Sequence, residues 1–182
     1  SGVILTASHN PKEYNGYKAY WDDGAQVTPP HDKNIIDEVN SISSVSDIKF
    51  TGNPALIESL GEDMDNKFIE SLKAILLSPE AIKRHHDIGI VYTPIHGTVG
   101  QIVLKALKAY GFTNIIHVPE QDVVDGNFPT VISPNPEEPA AMAMAVKKGI
   151  ETGAELVFAT DPDADRFGAG VRDTNGDFIL LN

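Results

Sequence analysis

The sequence predicts an α/β fold in which mostly parallel or mixed sheets are flanked by helices. Short apolar runs, which are typical of buried strands, alternate with longer stretches in which apolar residues recur at helical spacing. This alternation is typical of βαβ units and therefore of a mostly parallel sheet. Hydrophobic residues make up 41% of the 182 residues, which is enough for the chain to bury a core.

The first third of the chain is predicted to form two short strands and one helix. Residues 2–6 and 17–21 are the strand candidates, and turn-forming Asp and Gly follow the second. The helix is predicted to run from Thr28 to about Ile42, with Thr28 as its N-cap and proline in its first turn. Residues 43–54, rich in Ser, Asp and Gly, are the candidate linker or insertion.

The remainder of the chain carries the alternating pattern. Apolar stripes at helical spacing run through residues 68–76, 99–110 and 142–150, and Gly111 ends the second of them. Strand candidates occupy residues 88–92, 114–118 and 156–160. Two further runs, 167–172 and 178–181, are predicted to form a hairpin around Asn175-Gly176.

The change of pattern indicates a domain boundary within residues 43–64, and we expect two parts, 1–63 and 64–182. The chain opens and closes on apolar, strand-like runs, residues 1–6 and 178–182. Because natural proteins seldom start and stop inside buried strands, we expect this chain to be a fragment of a longer protein.

Composition excludes several classes of partner. A formal net charge of -12 argues against a nucleic-acid surface, although a few placed cations can still bind a phosphorylated small molecule. No apolar run approaches the ~20 residues of a membrane helix, so no membrane partner is expected. The chain has no cysteine, which is compatible with a reducing cytosol, and we expect a cytoplasmic protein.

The first candidate site is the loop Thr-Ala-Ser-His-Asn-Pro at residues 6–11. Ser8 follows a strand in a loop stiffened by proline, so its Oγ can leave the edge of the sheet. His9 beside it and Lys18 further on offer the acid/base group and the cation that a phosphate-carrying serine needs. The alternative is an ordinary Asn-Pro turn in which Ser8 only caps the local backbone.

The second candidate site is the loop Asp-Pro-Asp-Ala-Asp-Arg at residues 161–166. Asp161, Asp163 and Asp165 alternate after a buried strand and can surround a hard cation such as Mg²⁺. Without a cation, such close carboxylates raise one another's pKa. A plain acidic turn is the alternative, whereas an EF-hand would need glycine and glutamate where this sequence has arginine.

A third candidate, weaker than the other two, follows the strand at residues 88–92. His96, Gly97 and Thr98 lie between this strand and the start of a helix, which is a natural site for an anion. His96 is therefore a candidate for substrate binding, and a purely structural turn is an equally good interpretation.

Four segments together make the chain resemble the α-D-phosphohexomutases, the family of phosphoglucomutase and phosphomannomutase. They are Thr-Ala-Ser-His-Asn-Pro at 6–11, Asn-Gly-Tyr-Lys at 15–18, Thr-Pro-Ile-His-Gly at 93–97 and the aspartate loop at 161–166. The likeness is greatest to the bacterial phosphoglucomutase and phosphopentomutase branch. Each segment alone is unspecific, but their joint order is specific to the family.

The resemblance implies a mechanism and a metal. In the family's pattern Ser8 is phosphorylated, and one Mg²⁺ is held by the phosphoserine together with Asp161, Asp163 and Asp165. The phosphoryl group moves between the 1- and 6-positions of a hexose phosphate, or the 1- and 5-positions of a pentose phosphate. A sugar bisphosphate is the bound intermediate and the activator.

The resemblance also implies roles for three further side chains. His9 and Lys18 would contact the phosphate and assist proton transfer, and Arg166 would steady charge beside the metal. Phosphoryl transfer depends mainly on positioning and charge stabilisation, which this set of residues can supply.

The resemblance implies a four-domain parent of which this chain holds the end of domain one and most of domain two. The sugar-selecting and phosphate-binding loops of domains three and four would then be missing, so we expect the isolated chain to be inactive. The family often has glycine between the metal aspartates, where this sequence has Pro162 and Ala164. Two other functions stay open: a non-catalytic cation- or phosphate-binding module, and a metal-dependent phosphatase.

Overall fold

The computed structural model describes residues 1–181. Asn182, with which the second predicted part ends, lies outside the described residues. The chain forms two compact units: Ser1–Thr6 with Asn15–Gly61, and Ala7–Tyr14 with the chain from Glu62 onward. The serine loop from Ala7 onward, with Ser8 and His9, is thus part of the second unit. The predicted boundary after residue 63 stays a prediction.

The first unit contains a two-stranded antiparallel sheet and one helix. Strand β1 (Gly2–Leu5) pairs with β2 (Tyr17–Tyr20). Helix α1 covers His31–Ser41, and two short 3₁₀ helices, Val45–Asp47 and Pro54–Leu56, occupy the predicted linker and the residues just after it. No residue of α1 is buried, and most of the large apolar side chains of this unit are exposed to solvent.

The start of α1 differs from the prediction. Pro30 is the N-cap residue and makes no side-chain capping bond, so the predicted cap at Thr28 is wrong. The backbone carbonyl of Thr28 instead accepts hydrogen bonds from the N–H groups of His31 and Asp32. Because two prolines separate Thr28 from the first helical residue, its backbone rather than its hydroxyl serves the free N–H groups of the first turn.

The second unit carries a mixed five-stranded sheet. Its strands are β3 (Ile90–Thr93), β4 (Ile115–His117), β5 (Leu156–Thr160), β6 (Phe167–Arg172) and β7 (Phe178–Leu181), in the spatial order β4-β3-β5-β6-β7. Strands β4, β3 and β5 run parallel, whereas β6 and β7 are antiparallel additions. The predicted α/β class and the hairpin around Asn175-Gly176 are therefore confirmed.

Five helices accompany this sheet: α2 (Glu62–Lys73), α3 (Pro79–Arg84), α4 (Gly100–Tyr110), α5 (Pro119–Asp122) and α6 (Pro139–Thr152). Gly111 and Gly153 end α4 and α6 with left-handed backbone at φ 111° and 73°. Only a residue without Cβ adopts this conformation readily, which is why glycine closes both helices. Across residues 1–181, every helix is too short or too polar to cross a membrane.

The core lies around the central strand. All four residues of β3 are buried, because β4 and β5 flank it and α6 packs against it and against β5. The buried cluster contains Val91, Ile95, Val118, Ala141, Met142, Ala145, Ala154, Val157 and Ala159. A strand that is buried on both faces typically has a continuous apolar run in its sequence, and the sequence of β3 begins with such a run.

Helix α2 is shorter than its apolar stripe predicts. It ends at Lys73, so the predicted face members Ile75 and Leu76 lie beyond it. Their N–H groups bond to the carbonyls of Leu72 and Lys73, three residues back, which tightens the chain out of the α-helical pattern. Ile69 is the helix residue that becomes buried.

Candidate active site

The carboxyl ends of β3 and β5 lie at the same edge of the sheet, because the two strands are parallel neighbours. Asp161 follows β5 directly, and the turn with His96 follows β3. Open α/β sheets place their ligands at this edge. The fold therefore gathers residues that the sequence marked separately.

Ser8 reaches the aspartate loop. Its Oγ donates a hydrogen bond to Asp161 Oδ2 at 2.7 Å, across 153 residues of sequence. Since the hydroxyl hydrogen is used there, Nδ1 of His9, 3.1 Å from Oγ, is the donor in the second bond. Ser8 has left-handed backbone at φ 54°, a conformation that is uncommon outside glycine and that clusters at functional sites.

Asp161 is the buried member of the group, with none of its surface exposed. Burial raises the pKa of this carboxyl, and neighbouring Asp163 raises it further. The hydrogen bonds from Ser8 Oγ and from the Arg166 backbone N–H, the latter 3.0 Å from Oδ1, act in the opposite direction. Burial is the largest of these effects, so Asp161 holds its charge at a cost that a bound cation would offset.

Asp161, Asp163 and Asp165 fit a divalent metal ion. Each offers one carboxylate oxygen, and these oxygens lie within 4.8 Å of one another. Asp161 is buried, Asp163 is partly buried and Asp165 is exposed, so the group opens from the protein towards solvent. An all-oxygen donor set with several carboxylates suits a hard cation such as Mg²⁺.

The side chain of Arg166 forms an ion pair with Glu137. The Arg166 guanidinium donates to Glu137 Oε2 at 2.9 Å, and its own backbone N–H bonds to Asp161. Glu137 lies just before α6. The pair anchors the guanidinium beside the aspartate loop.

His96 is held inside the protein. The residue is 2% exposed, Nδ1 bonds to the Val123 carbonyl at 2.8 Å, and Nε2 bonds to Thr130 Oγ1 at 2.9 Å. Both ring nitrogens are thus committed to protein partners. This arrangement favours the structural interpretation of the turn, and substrate binding by His96 stays a prediction.

Lys18 lies in the first unit. It is a half-buried residue of β2, paired in register with Ile4 of β1. Its predicted contact with phosphate stays a prediction.

Several residues of the site carried no signal in the sequence. Gln121 is fully buried and accepts a hydrogen bond from Thr93 Oγ1, and Thr130 joins it to His96. Glutamine and threonine occur in every kind of loop, so only their burial in the fold marks them. Gly97 is different, because a glycine after a strand is a recognisable hint of close backbone approach.

By fold and site, the second unit is an α/β domain with a serine and a carboxylate cluster at the carboxyl edge of its sheet. Two family models match the chain: phosphoglucomutase/phosphomannomutase α/β/α domain I over residues 1–46, and α/β/α domain II over residues 66–176. The chain belongs to the phosphoglucomutase/phosphomannomutase family.

Individual relatives agree with this family. The chain is 38% identical to a phosphomannomutase of Mycoplasmoides pirum, across 95% of this chain and 32% of the relative. It is 34% identical to a human phosphopentomutase, across 100% of this chain and 30% of the relative. The chain therefore spans about a third of the length of these curated relatives.

A solved structure shares the fold. It is a phosphoglucomutase/phosphomannomutase family protein of Burkholderia thailandensis, with a TM-score of 0.65 and 22% identity. The similarity covers 97% of this chain and 34% of that one.

Proposed function

We propose that the chain is part of a phosphohexomutase, in which Ser8 carries the phosphoryl group and the three aspartates hold Mg²⁺. The observation that carries the proposal is the 2.7 Å hydrogen bond between Ser8 Oγ and Asp161, a member of the carboxylate cluster. Either loop alone is open to a structural interpretation. A phosphate on a serine bonded to a candidate metal ligand would lie close to the metal ion, which supports phosphoryl transfer because that chemistry depends on positioning and charge stabilisation.

The proposed step is an exchange of phosphorus–oxygen bonds. The ester bond between phosphorus and Ser8 Oγ breaks while a sugar hydroxyl forms a new bond to the same phosphorus. The sugar hydroxyl loses its proton and Ser8 Oγ gains one, so the proton count is unchanged. His9, with Nδ1 3.1 Å from Oγ, is close enough to deliver that proton.

The other residues stabilise charge. Mg²⁺, when bound, supplies positive charge against the phosphoryl oxygens. Asp161, Asp163 and Asp165 would hold it, and Arg166, fixed by its ion pair with Glu137, would add a cation at the rim. We extend the proposal to Lys18 as a phosphate contact and to His96 as a residue of the substrate site.

The parent protein is proposed to act on a sugar monophosphate through a bound sugar bisphosphate. Relatives named phosphomannomutase and phosphopentomutase differ in their sugar, so the chain is consistent with hexose or pentose substrates. We further propose that residues 1–63 end domain one, that residues 64–182 belong to domain two, and that domains three and four lie elsewhere in a cytoplasmic parent chain.

Phosphopeptide mass spectrometry tests this function in the full-length parent. Incubation with glucose 1,6-bisphosphate is expected to phosphorylate Ser8, and a later excess of sugar monophosphate is expected to remove that phosphate into the sugar. A Ser8→Ala variant should show neither event. Release of inorganic phosphate would instead indicate a phosphatase, and a Ser8 that is never phosphorylated would indicate a non-catalytic binding module.

The isolated chain gives a second test. We expect it to leave glucose 1-phosphate unchanged, because the proposed sugar-selecting and phosphate-binding loops are outside it. Turnover at the rate of a whole enzyme would contradict the proposed division of the active site among four domains.

A further inference from the structure

The turn after β3, residues 94–98, has a strained backbone. Ile95 and His96 follow each other in the left-handed region, at φ 46° and 63°. This conformation is an outlier for a β-branched residue such as isoleucine, and two in succession are more unusual still. Strain of this kind persists only where the surroundings hold it in place, and it is concentrated at functional sites.

A chain of buried and partly buried hydrogen bonds holds the turn. Thr93 Oγ1 donates to Gln121 Oε1 at 2.8 Å, and Gln121 Nε2 donates to Thr130 Oγ1 at 3.0 Å. Thr130 Oγ1, which accepts this bond, is also hydrogen-bonded to His96 Nε2 at 2.9 Å. Because a carbonyl oxygen can only accept, His96 Nδ1 is the donor in the 2.8 Å bond to Val123.

The backbone of the turn is tied down as well. The His96 N–H bonds to the Gln121 carbonyl at 2.9 Å, and the Ile95 N–H bonds to Thr93 Oγ1 at 3.1 Å. The side chains of this network come from β3, the turn itself, α5 and the loop after α5. A network whose members bond to one another across several elements favours a single geometry of the turn.

The far end of the turn touches the aspartate loop. A Cβ on Gly97 would lie 2.6 Å from Pro162 Cα and 2.9 Å from the Pro162 carbonyl oxygen, so only glycine fits here. Thr98 donates twice to that same carbonyl, from its backbone N–H at 3.1 Å and from Oγ1 at 3.2 Å. Pro162 lies between Asp161 and Asp163.

We propose that the strained turn is a positioning element that fixes the aspartate loop, with Gly97 and Thr98 as the contact residues and His96 with Thr130 as their support. The functional role of this positioning rests on the proposed metal site, whereas the contacts that hold the aspartate loop lie within this chain. A loop held at the Pro162 carbonyl keeps its first two carboxylates at a fixed separation. Residues that orient metal ligands in this way typically change metal affinity about 10- to 100-fold when altered.

Calorimetric titration of the chain with Mn²⁺ tests whether the turn supports metal binding. We expect Gly97→Ala to weaken Mn²⁺ binding by about tenfold or more, because the added Cβ must displace Pro162. Thr130→Val leaves His96 Nε2 and Gln121 Nε2 without their hydroxyl and should also weaken binding, although Thr130 touches no aspartate. Thr130→Ser keeps the hydroxyl and should restore the wild-type affinity.

Amide hydrogen exchange without metal tests the positioning separately. In Gly97→Ala and Thr130→Val, the amides of Ala164 and Arg166, which bond to Asp161, should exchange faster, while amides of β3 and β5 keep their rates. If the wild-type chain does not bind Mn²⁺ but the variants still show faster exchange in the aspartate loop, the positioning role is supported and the proposed metal site is refuted. Unchanged loop exchange with unchanged Mn²⁺ affinity in both variants would overturn the positioning proposal.

Discussion

Two residues near the carboxylates, Ser8 and Ala164, share left-handed backbone at φ 54° and 58°. For Ser8 the conformation accompanies a hydroxyl that reaches Asp161. Ala164 stands where the resembled family often has glycine, and the turn explains that preference: only glycine adopts this φ without a steric penalty. The strain at Ala164 is therefore a feature of this particular sequence rather than of the site's chemistry.

Replacing Ala164 with glycine should stabilise the protein. Left-handed backbone costs a non-glycine residue roughly 1–2 kcal/mol, and glycine gives back about 0.5–1 kcal/mol through its greater freedom in the unfolded chain. The free energy of unfolding, measured in urea, should therefore rise by up to about 1.5 kcal/mol. Ala143→Gly, at an exposed position in the middle of α6, is the control and should lower it by about 1 kcal/mol.

The ion pair between Arg166 and Glu137 should matter for activity more than for stability. Both side chains are partly exposed, so the pair contributes well under about 1 kcal/mol to the free energy of unfolding. Glu137→Gln should leave the thermal midpoint nearly unchanged and lower kcat/KM in the full-length parent, because the guanidinium loses its fixed orientation.

Glu138→Gln is the matched control for this prediction. Glu138 is the neighbouring carboxylate, and it accepts a hydrogen bond from Ser133 rather than from an arginine. Equal activity of the wild type and the Glu137→Gln variant would contradict a role for the oriented Arg166.

At the scale of elements, close packing of α6 on the sheet positions the site. Gly149 lies within α6 where a Cβ would meet Phe178 ring carbons at 2.7–2.8 Å and a Val157 methyl at 2.9 Å. Both partners are held by the sheet, and β5 is the strand that Asp161 directly follows. The helix can approach the sheet this closely only because position 149 has no side chain.

Gly149→Ala should therefore destabilise the second unit. Overpacking typically costs about 1–3 kcal/mol, which exceeds the roughly 1 kcal/mol that alanine gains as a better helix former. Denaturant unfolding measures the difference. Gly126→Ala is the control, since a Cβ there meets nothing within 4 Å, and its free energy of unfolding should match the wild type. Similar losses in both variants would show that packing at α6 is not the cause.

For the whole molecule, the candidate site exists only in the folded state. Ser8 and Asp161 are 153 positions apart in the chain, and an unfolded chain has no means of holding them at 2.7 Å. A ligand that binds the folded state alone stabilises it through mass action. Metal binding and folding should therefore be coupled.

Mg²⁺ should raise the thermal midpoint of the chain as it stands. At a hundred times its dissociation constant, a cation specific for the folded state adds about 2.7 kcal/mol to the free energy of unfolding. Asp165→Asn, which changes an exposed ligand, should reduce this gain, and EDTA should abolish it. NaCl at equal ionic strength is the control, and an equal rise with NaCl or in the Asp165→Asn variant would argue against the site.

Local patterns predicted much of the fold. The apolar runs of β3 and β5, the stripe of α4 with its terminal glycine and the hairpin of β6 and β7 all depend on neighbours in sequence, so they could be identified without tertiary information. The end of α2 and the capping of α1 could not. They depend on which of several nearby backbone groups accepts a hydrogen bond, and competing choices differ by little energy.

The sequence by itself determined the family, the α/β class and the two candidate loops, because these reside in residue types at fixed short spacings. The tertiary structure decided which residues meet. The bond from Ser8 to Asp161, the pairing of Arg166 with Glu137 and the buried partners of His96 all join separate segments. Contacts of this kind are set by how strands and helices pack, and packing depends on the whole chain at once.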